Sequence, residues 1–418
     1  MNTLARLPHR LAALLVVGAL TSCAPATGVA AEEPAAPAVR NVIFINGDGM
    51  GAAHREAARL YHLGPEGRLA MDRLPFSGQL TTSPKDPVSE VTDSAAGATA
   101  WATGRRTYNG AISVDTARRP LPTLGAQAKA AGRATGLVTT AQVTDASPAA
   151  FYANAVDRDA QDDIARQYLD VSKPDVILGG GEDWWLPKGT PGAYPDRPAA
   201  DRTEASRGTE GNLITRARAA GYQYVSTPAQ LAAAGSGKLL GLFANEEMFQ
   251  QHAEGRGDVY QPVVSLPTMT GKALDVLSTD PDGFFLFVEE EAVDEFAHQN
   301  NARRVLQAMW QLDRTVAVAR AWASAHPDTL VVVAGDHETG GLSVEAVDPK
   351  DESGAGRSAE DGPLPVKGTK LRFTMDWTTT AHTGQDVPVT AVGPQADRFT
   401  GKHPNTHVYD VLAPILTG

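Results

Sequence analysis

From Asn41 onward the chain alternates short, unbroken apolar runs with longer stretches in which apolar residues recur at helical spacing. The runs Val42–Ile45, Thr135–Thr139, Val176–Leu178, Phe284–Val288, Leu330–Val333 and Val387–Val392 are rich in β-branched and aromatic residues. Unbroken runs of this kind predict strands covered on both faces. Thr123–Ala131 and Arg303–Ala325 read as helices between them. Strands separated by helices predict an α/β fold, a doubly wound, mostly parallel central sheet sandwiched between helices. No internal repeat is visible. Glu182–Gly237 and Asp348–Trp377 break the rhythm with Gly, Pro and charge. Both are expected to be surface insertions in one domain covering residues 41–418.

The pattern differs before Asn41. Arg6 and Arg10 precede the apolar run Leu11–Leu20, which is too short to span a bilayer comfortably and reads as the core of a signal peptide over residues 1–22. Leu20-Thr21-Ser22-Cys23 resembles the bacterial lipoprotein processing site, which implies cleavage before Cys23 and lipidation of that residue. The expectation is an exported protein, lipid-anchored on the extracytoplasmic side of a bacterial cell envelope. Cys23 is the only cysteine, so the mature chain has no internal disulfide. Residues 23–40, rich in Ala and Pro, then read as a tether.

Composition narrows the function. The chain has 418 residues, 42% hydrophobic and 21% charged, as a globular protein should. Its net charge is −12 with no basic block, which argues against nucleic acid as a partner. An acidic protein acting on an anionic ligand would need local positive charge, which bound metal ions can supply.

In open α/β sheets, ligands bind beyond the carboxyl ends of the strands. There the first strand runs into Asp48, the second leads to Asp145 and Ser147, the fourth ends at Glu289, and the fifth leads to Asp336 and His337. Asp294 and His298 are four residues apart, on one face if helical, and His382 lies just before the Val387 run. A lone histidine or acid is more often structural, but carboxylates and imidazoles at several strand ends suggest a shared metal cluster. Imidazole and carboxylate suit zinc; an all-oxygen set suits magnesium. Ser94 opens the Ala-rich segment Asp93–Trp101, where a helix amino end offers donors to a phosphoryl group. The plainer alternative is that Asp93 or Ser94 is only an N-cap. No Gly-x-Ser-x-Gly elbow surrounds Ser94, which disfavours a hydrolase triad.

Asp48-Gly49-Met50-Gly51, Asp93-Ser94-Ala95 with Tyr108-Asn109-Gly110, Asp145–Ala150, Glu289–His298, Gly335-Asp336-His337-Glu338 and His382-Thr383-Gly384 occur in that order. Together they resemble the bacterial and animal alkaline phosphatases, from Asn41 to the C-terminus apart from the two irregular stretches. The resemblance implies hydrolysis of phosphate monoesters through a phosphoserine on Ser94. It implies two zinc ions, one on Asp294, His298 and His382 and the other on Asp48, Asp336 and His337. It implies one magnesium on Asp48, Ser147 and Glu289, with Asp145 beside it, and Arg158 as the phosphate clamp. A homodimer is the assembly it suggests. The segment after Glu289 departs from well-known members. Glu290 and Glu291 stand where small residues are common, and Glu295 where Lys, His or Trp follows the zinc-ligating Asp; this leaves the third metal open. Rival readings are a phosphatase dedicated to one metabolite, such as a phosphorylated antibiotic or nucleotide, a phosphodiesterase or sulfatase of the wider superfamily, and a non-catalytic phosphate binder.

Overall fold

A computed structural model describes residues 38–194, 206–249, 260–348 and 359–418. The proposed leader, Cys23 and the tether up to residue 37 lie outside them. The main sheet has ten strands in the order Gly401–Pro404, Phe76–Thr81, Val387–Val392, Thr329–Ala334, Asn41–Gly47, Phe284–Glu290, Ala134–Gln142, Val176–Gly180, Leu239–Leu242 and Gln223–Val225. Every pairing is parallel except those of Val387–Val392, which runs antiparallel to both neighbours.

Alternate residues of each strand feed opposite cores, as the pleat requires. Ile43 and Ile45 join Val138, Val288, Val331 and Val333 under the long helix Ala302–Ala325. Val42 and Phe44 join Phe285, Phe287 and Val332 under the helices Ser94–Thr103 and Ala146–Tyr152. Burial on both faces is why these strands read as unbroken apolar runs.

The two irregular stretches depart from the expectation of surface insertions. Within 182–237, Trp185, Leu213 and Ala217 are fully buried, and Gln223–Val225 is the edge strand of the main sheet. Within 348–377, Arg372–Trp377 pairs with Ala359–Pro365 on one side and with Leu342–Ala346 on the other, in a separate three-stranded antiparallel sheet. Phe373, Met375 and Trp377 from it enter the main core. Short strands among Gly, Pro and charge carry too few apolar positions to show a period.

Candidate active site and metal centre

The sheet brings the candidate residues together by register. Asn46, Glu289 and Thr139 stand abreast on three adjacent parallel strands. Asp48 and Asp336 leave neighbouring strands just beyond them. The reversed strand explains His382, which precedes its strand where the other candidates follow theirs. An antiparallel strand starts where its parallel neighbours end. Gly49 makes the turn after the first strand with φ +68, and a Cβ there would lie 2.6 Å from Asp294 Oδ1. Only glycine takes that conformation so close to a carboxylate without strain.

One cluster is set by hydrogen bonds on the far side of each ring. His298 Nδ1 lies 2.6 Å from the Thr380 carbonyl, and His382 Nδ1 lies 2.9 Å from that of Thr92. Both contacts require Nδ1–H to donate, which leaves each Nε2 as a bare lone pair in the neutral ring. The two Nε2 atoms are only 3.1 Å apart, and Asp294 Oδ2 is 3.0 Å from that of His298. In the neutral rings two lone pairs and a carboxylate oxygen converge, which calls for a cation at this point, a proton on the rings where no metal is bound. Metal-ligating histidines are oriented in this way.

The second cluster follows the same logic. His337, with no exposure, has Nδ1 3.2 Å from Thr339 Oγ1, whose hydroxyl donates to Asp294. Its Nε2 faces Asp336 Oδ2 at 3.1 Å, Asp48 Oδ1 at 3.4 Å and Ser94 Oγ at 3.2 Å. Asp48 Oδ1 and Asp336 Oδ2 are buried and accept no hydrogen bond. An unpartnered buried carboxylate oxygen is costly, and a metal ion at this point would satisfy both. Among the described residues, Asp48, Asp336 and His337 form one group of closely spaced ligand atoms, and Asp294, His337 and His382 another. The His337 and His382 rings stack with centroids 3.6 Å apart.

The third candidate set is less open. Asn46 Nδ2 donates to Glu289 Oε1 at 3.1 Å and lies 3.5 Å from Ser147 Oγ, while Thr139 Oγ1 donates to Glu289 Oε2 at 2.7 Å. Glu289 and Ser147 thus flank one asparagine, whose Oδ1 is buried and unpartnered. That leaves an oxygen-rich niche suited to a hard cation. Burial pushes Asp48 well above the usual carboxylate range, and Asp336, Asp294, Glu289 and Asp145 add to it. Burial also acts on Asp294, but hydrogen bonds from His298 and His382 outweigh it and hold that carboxyl well below.

Ser94 is the first residue of its helix. Asp93 caps it by accepting the Ala96 N–H at 2.9 Å, so the N-cap is Asp93 and Ser94 follows it as the first helical residue. Arg158 Nη2 donates to both oxygens of Asp145 at 3.1 Å, and its Nη1 lies 3.5 Å from Asp93 Oδ2. The guanidinium is therefore anchored beside Ser94 with other N–H groups left for a ligand. Burial opposes its charge, yet Asp145 and Asp93 raise its pKa further.

Of the glutamates that depart from the familiar pattern, Glu290 points to the opposite side of the strand from Glu289. There Thr140 Oγ1 donates to it at 2.8 Å and Tyr260 also donates. Glu295 is half-buried, and its charge acts on His298 and Glu291. Sequence reasoning missed Asn46, Thr139 and Thr339, and the second partner of Arg158, Asp93. Asn46 lies in the strand that leads to Asp48, two residues before it, and that spacing was the available signal.

A model of the alkaline phosphatase family matches residues 39–363 and 358–417. The chain belongs to the alkaline phosphatase family. It is 39% identical to the streptomycin-6-phosphate phosphatase of Streptomyces griseus, over 98% of this chain and 98% of that one. It is 32% identical to the alkaline phosphatase of Escherichia coli (strain K12), over 90% of this chain and 86% of that one. The crystal structure of a cold-active alkaline phosphatase from a psychrophilic Shewanella sp. matches with a TM-score of 0.72 and 32% identity, covering 90% of this chain and 99% of that one. As an alkaline phosphatase relative throughout its sheet and site, the chain is a metal-binding phosphomonoester hydrolase.

Proposed function

We propose that the enzyme transfers the phosphoryl group of a monoester to Ser94 and then to water, with two zinc ions and one magnesium at the three candidate sets. The observation that carries this reading is the convergence of Asp48 Oδ1, Asp336 Oδ2 and Ser94 Oγ on His337 Nε2. When bound, the cations supply Lewis acidity and charge neutralisation that a site of carboxylates lacks. The residues do the rest. Ser94 Oγ attacks phosphorus, the ester P–O bond breaks and the alcohol leaves. The free N–H groups of Arg158 hold the equatorial oxygens, with Asp145 and Asp93 fixing its fork. Water then attacks the phosphoserine, the P–Oγ bond breaks and inorganic phosphate departs. The helix amino end at Ser94 stabilises the charge in both steps.

A second reading, a phosphatase dedicated to one metabolite, is supported by the Streptomyces griseus relative. It is 39% identical over nearly all of both chains, against 32% for the Escherichia coli alkaline phosphatase. A panel of p-nitrophenyl phosphate, a nucleoside monophosphate, streptomycin 6-phosphate and a phosphodiester tests both. Comparable kcat/KM on all monoesters supports the broad enzyme. A preference above about 100-fold for one of them, some 2.7 kcal/mol of differential binding, supports the dedicated one. Hydrolysis of the diester alone overturns both.

The N-terminal expectation joins the same proposal: the mature enzyme is held outside the cell membrane by lipid on Cys23. Single acyl chains bind membranes only marginally, whereas several anchor firmly. Cys23→Ala should move the enzyme from the detergent phase to the aqueous phase in a detergent partition. Unchanged partition would remove the anchor from the proposal.

A further inference from the structure

The Gly335–Glu338 motif contains one residue with no part in the chemistry above. Glu338 directly follows His337 and is 1% exposed. Its Oε1 accepts the Leu342 N–H at 2.9 Å, and its Oε2 accepts the Gly341 N–H at 3.2 Å. Those bonds close the turn that follows it. Oε2 also accepts from the Thr383 hydroxyl and from Gln385 Nε2 at 3.4 Å. Those bonds reach across to the segment that carries His382. The two segments also meet in a ladder of two residue pairs, Glu338 opposite Thr383 and Thr339 opposite His382, and at Gly340, whose N–H donates to the Ala381 carbonyl and whose carbonyl accepts the Thr378 and Thr379 N–H groups. The Gly340 bonds hold the chain before His382, and the side-chain bonds of Glu338 hold the residues after it.

We propose that Glu338 is the positioning residue that sets the spacing between the two zinc sites, by tying the segment bearing His337 to the segment bearing His382. The inference rests on the two-zinc reading above. His337 belongs to one triad and His382 to the other, and their rings are stacked. A shift between the segments therefore changes both ligand sets together. The chemistry suits a strut: an ionised carboxylate only accepts, and every partner here donates, giving charge-assisted bonds on both sides of the gap.

The side chain can be divided experimentally. In Glu338→Gln one carboxylate oxygen becomes an amide N–H donor that must face a donor: the Leu342 N–H of the turn if the amide oxygen takes the place of Oε2, or the Gly341 N–H and the cross-strand arm to Thr383 and Gln385 if it takes the place of Oε1. In either rotamer the tie is weakened. Thr383→Val removes that arm from the other end and leaves the turn bonds intact. Thr383→Ser restores the hydroxyl.

Zinc equivalents and affinities are measured on the full chain by competition with a chromogenic chelator, alongside the melting temperature of the zinc-free protein. Glu338→Gln and Thr383→Val should each weaken the looser of two zincs by about 10–100-fold, the usual effect of losing a group that orients a ligand. Higher zinc should restore occupancy, and Thr383→Ser should come within twofold of the parent. If the parent binds two zincs and both variants match it within twofold, Glu338 merely caps its own turn and the proposal is overturned. The same holds if only the melting temperature falls. A parent that binds one zinc or none overturns the two-zinc reading, and the proposal with it.

Discussion

Ser94→Ala should lower turnover of phosphate monoesters by at least about 10³-fold while leaving the metal content unchanged. Removal of a covalent nucleophile costs this much or more, because the whole two-step route is lost and only binding and electrostatic stabilisation remain. The structure isolates the effect. Alanine is a good helix former at the first helical position, and the cap on this helix is Asp93, not Ser94. The fold should therefore hold. Asp48, Asp336 and His337 converge without help from Ser94, since His337 is oriented by Thr339 and Gly49 N–H donates to Asp336 at 3.2 Å. Metal content should stay at the parent level. Incubating the parent with labelled phosphate at acid pH should place label on Ser94 and on nothing else. Label on another residue, or variant turnover within tenfold of the parent, would refute the assignment.

The sheet was legible in the sequence where it is buried on both faces. Val42–Ile45, Phe284–Val288 and Leu330–Val333 lie within observed strands because double burial leaves no polar alternation to confuse. The edges were not. Phe76–Thr81 alternates half-buried and exposed residues and contains Ser, Gly, Gln and Thr, and Gly401–Pro404 is exposed or half-exposed throughout. Such strands form because the neighbouring strand offers its unpaired backbone, a tertiary cause that a local pattern does not carry. The direction of Val387–Val392 was equally hidden, since an apolar run reads the same both ways.

The site was legible one residue at a time. An acid or histidine directly after an apolar run stands out, so Asp48, Glu289, Asp336 and His337 were visible as candidates. Their supports are ordinary polar residues. Asn46 and Thr139 meet Glu289 only because the register sets three strands abreast. Asp93 meets Arg158 across 65 positions of sequence only in the folded chain. Glu290 is the converse case: beside Glu289 in sequence, it faces away in space, as successive strand residues must.

Stripping the enzyme of divalent cations should abolish activity, and it should also change how stability depends on pH. The acids and histidines of the site set the sign. Burial pushes Glu289 up to about 8 from 4.5, against the hydrogen bonds from Thr139 and Asn46, and pushes Glu290 up to about 7. A carboxyl raised in the fold is held protonated, and ionising it costs folding free energy. That loss develops as pH rises from about 4.5 to the folded value. Burial lowers His298, but Asp294 more than compensates and brings it to about 9 from 6.5. Its stabilisation is complete below 6.5 and is lost as pH rises through 9. Asp294 and Asp336 are held low, so their contribution is in place above about 3.8 and stays constant over the same range. These groups of the site act in one direction; His54, His62 and His407, lowered by burial, oppose them only below about 6.5. The stripped protein should melt highest near pH 5 and progressively lower toward pH 9. Bound cations neutralise Glu289, though not Glu290 on the other side of its strand, and take up the imidazole lone pairs, so the loaded enzyme should lose less over this range. Melting curves at pH 5, 7 and 9, with chelator and with added zinc and magnesium, decide the matter. A stripped protein whose melting temperature is flat or rises from pH 5 to 9 would show that the buried carboxylates do not carry the site's electrostatics. Activity that survives exhaustive chelation would show that the phosphatase does not need its cations.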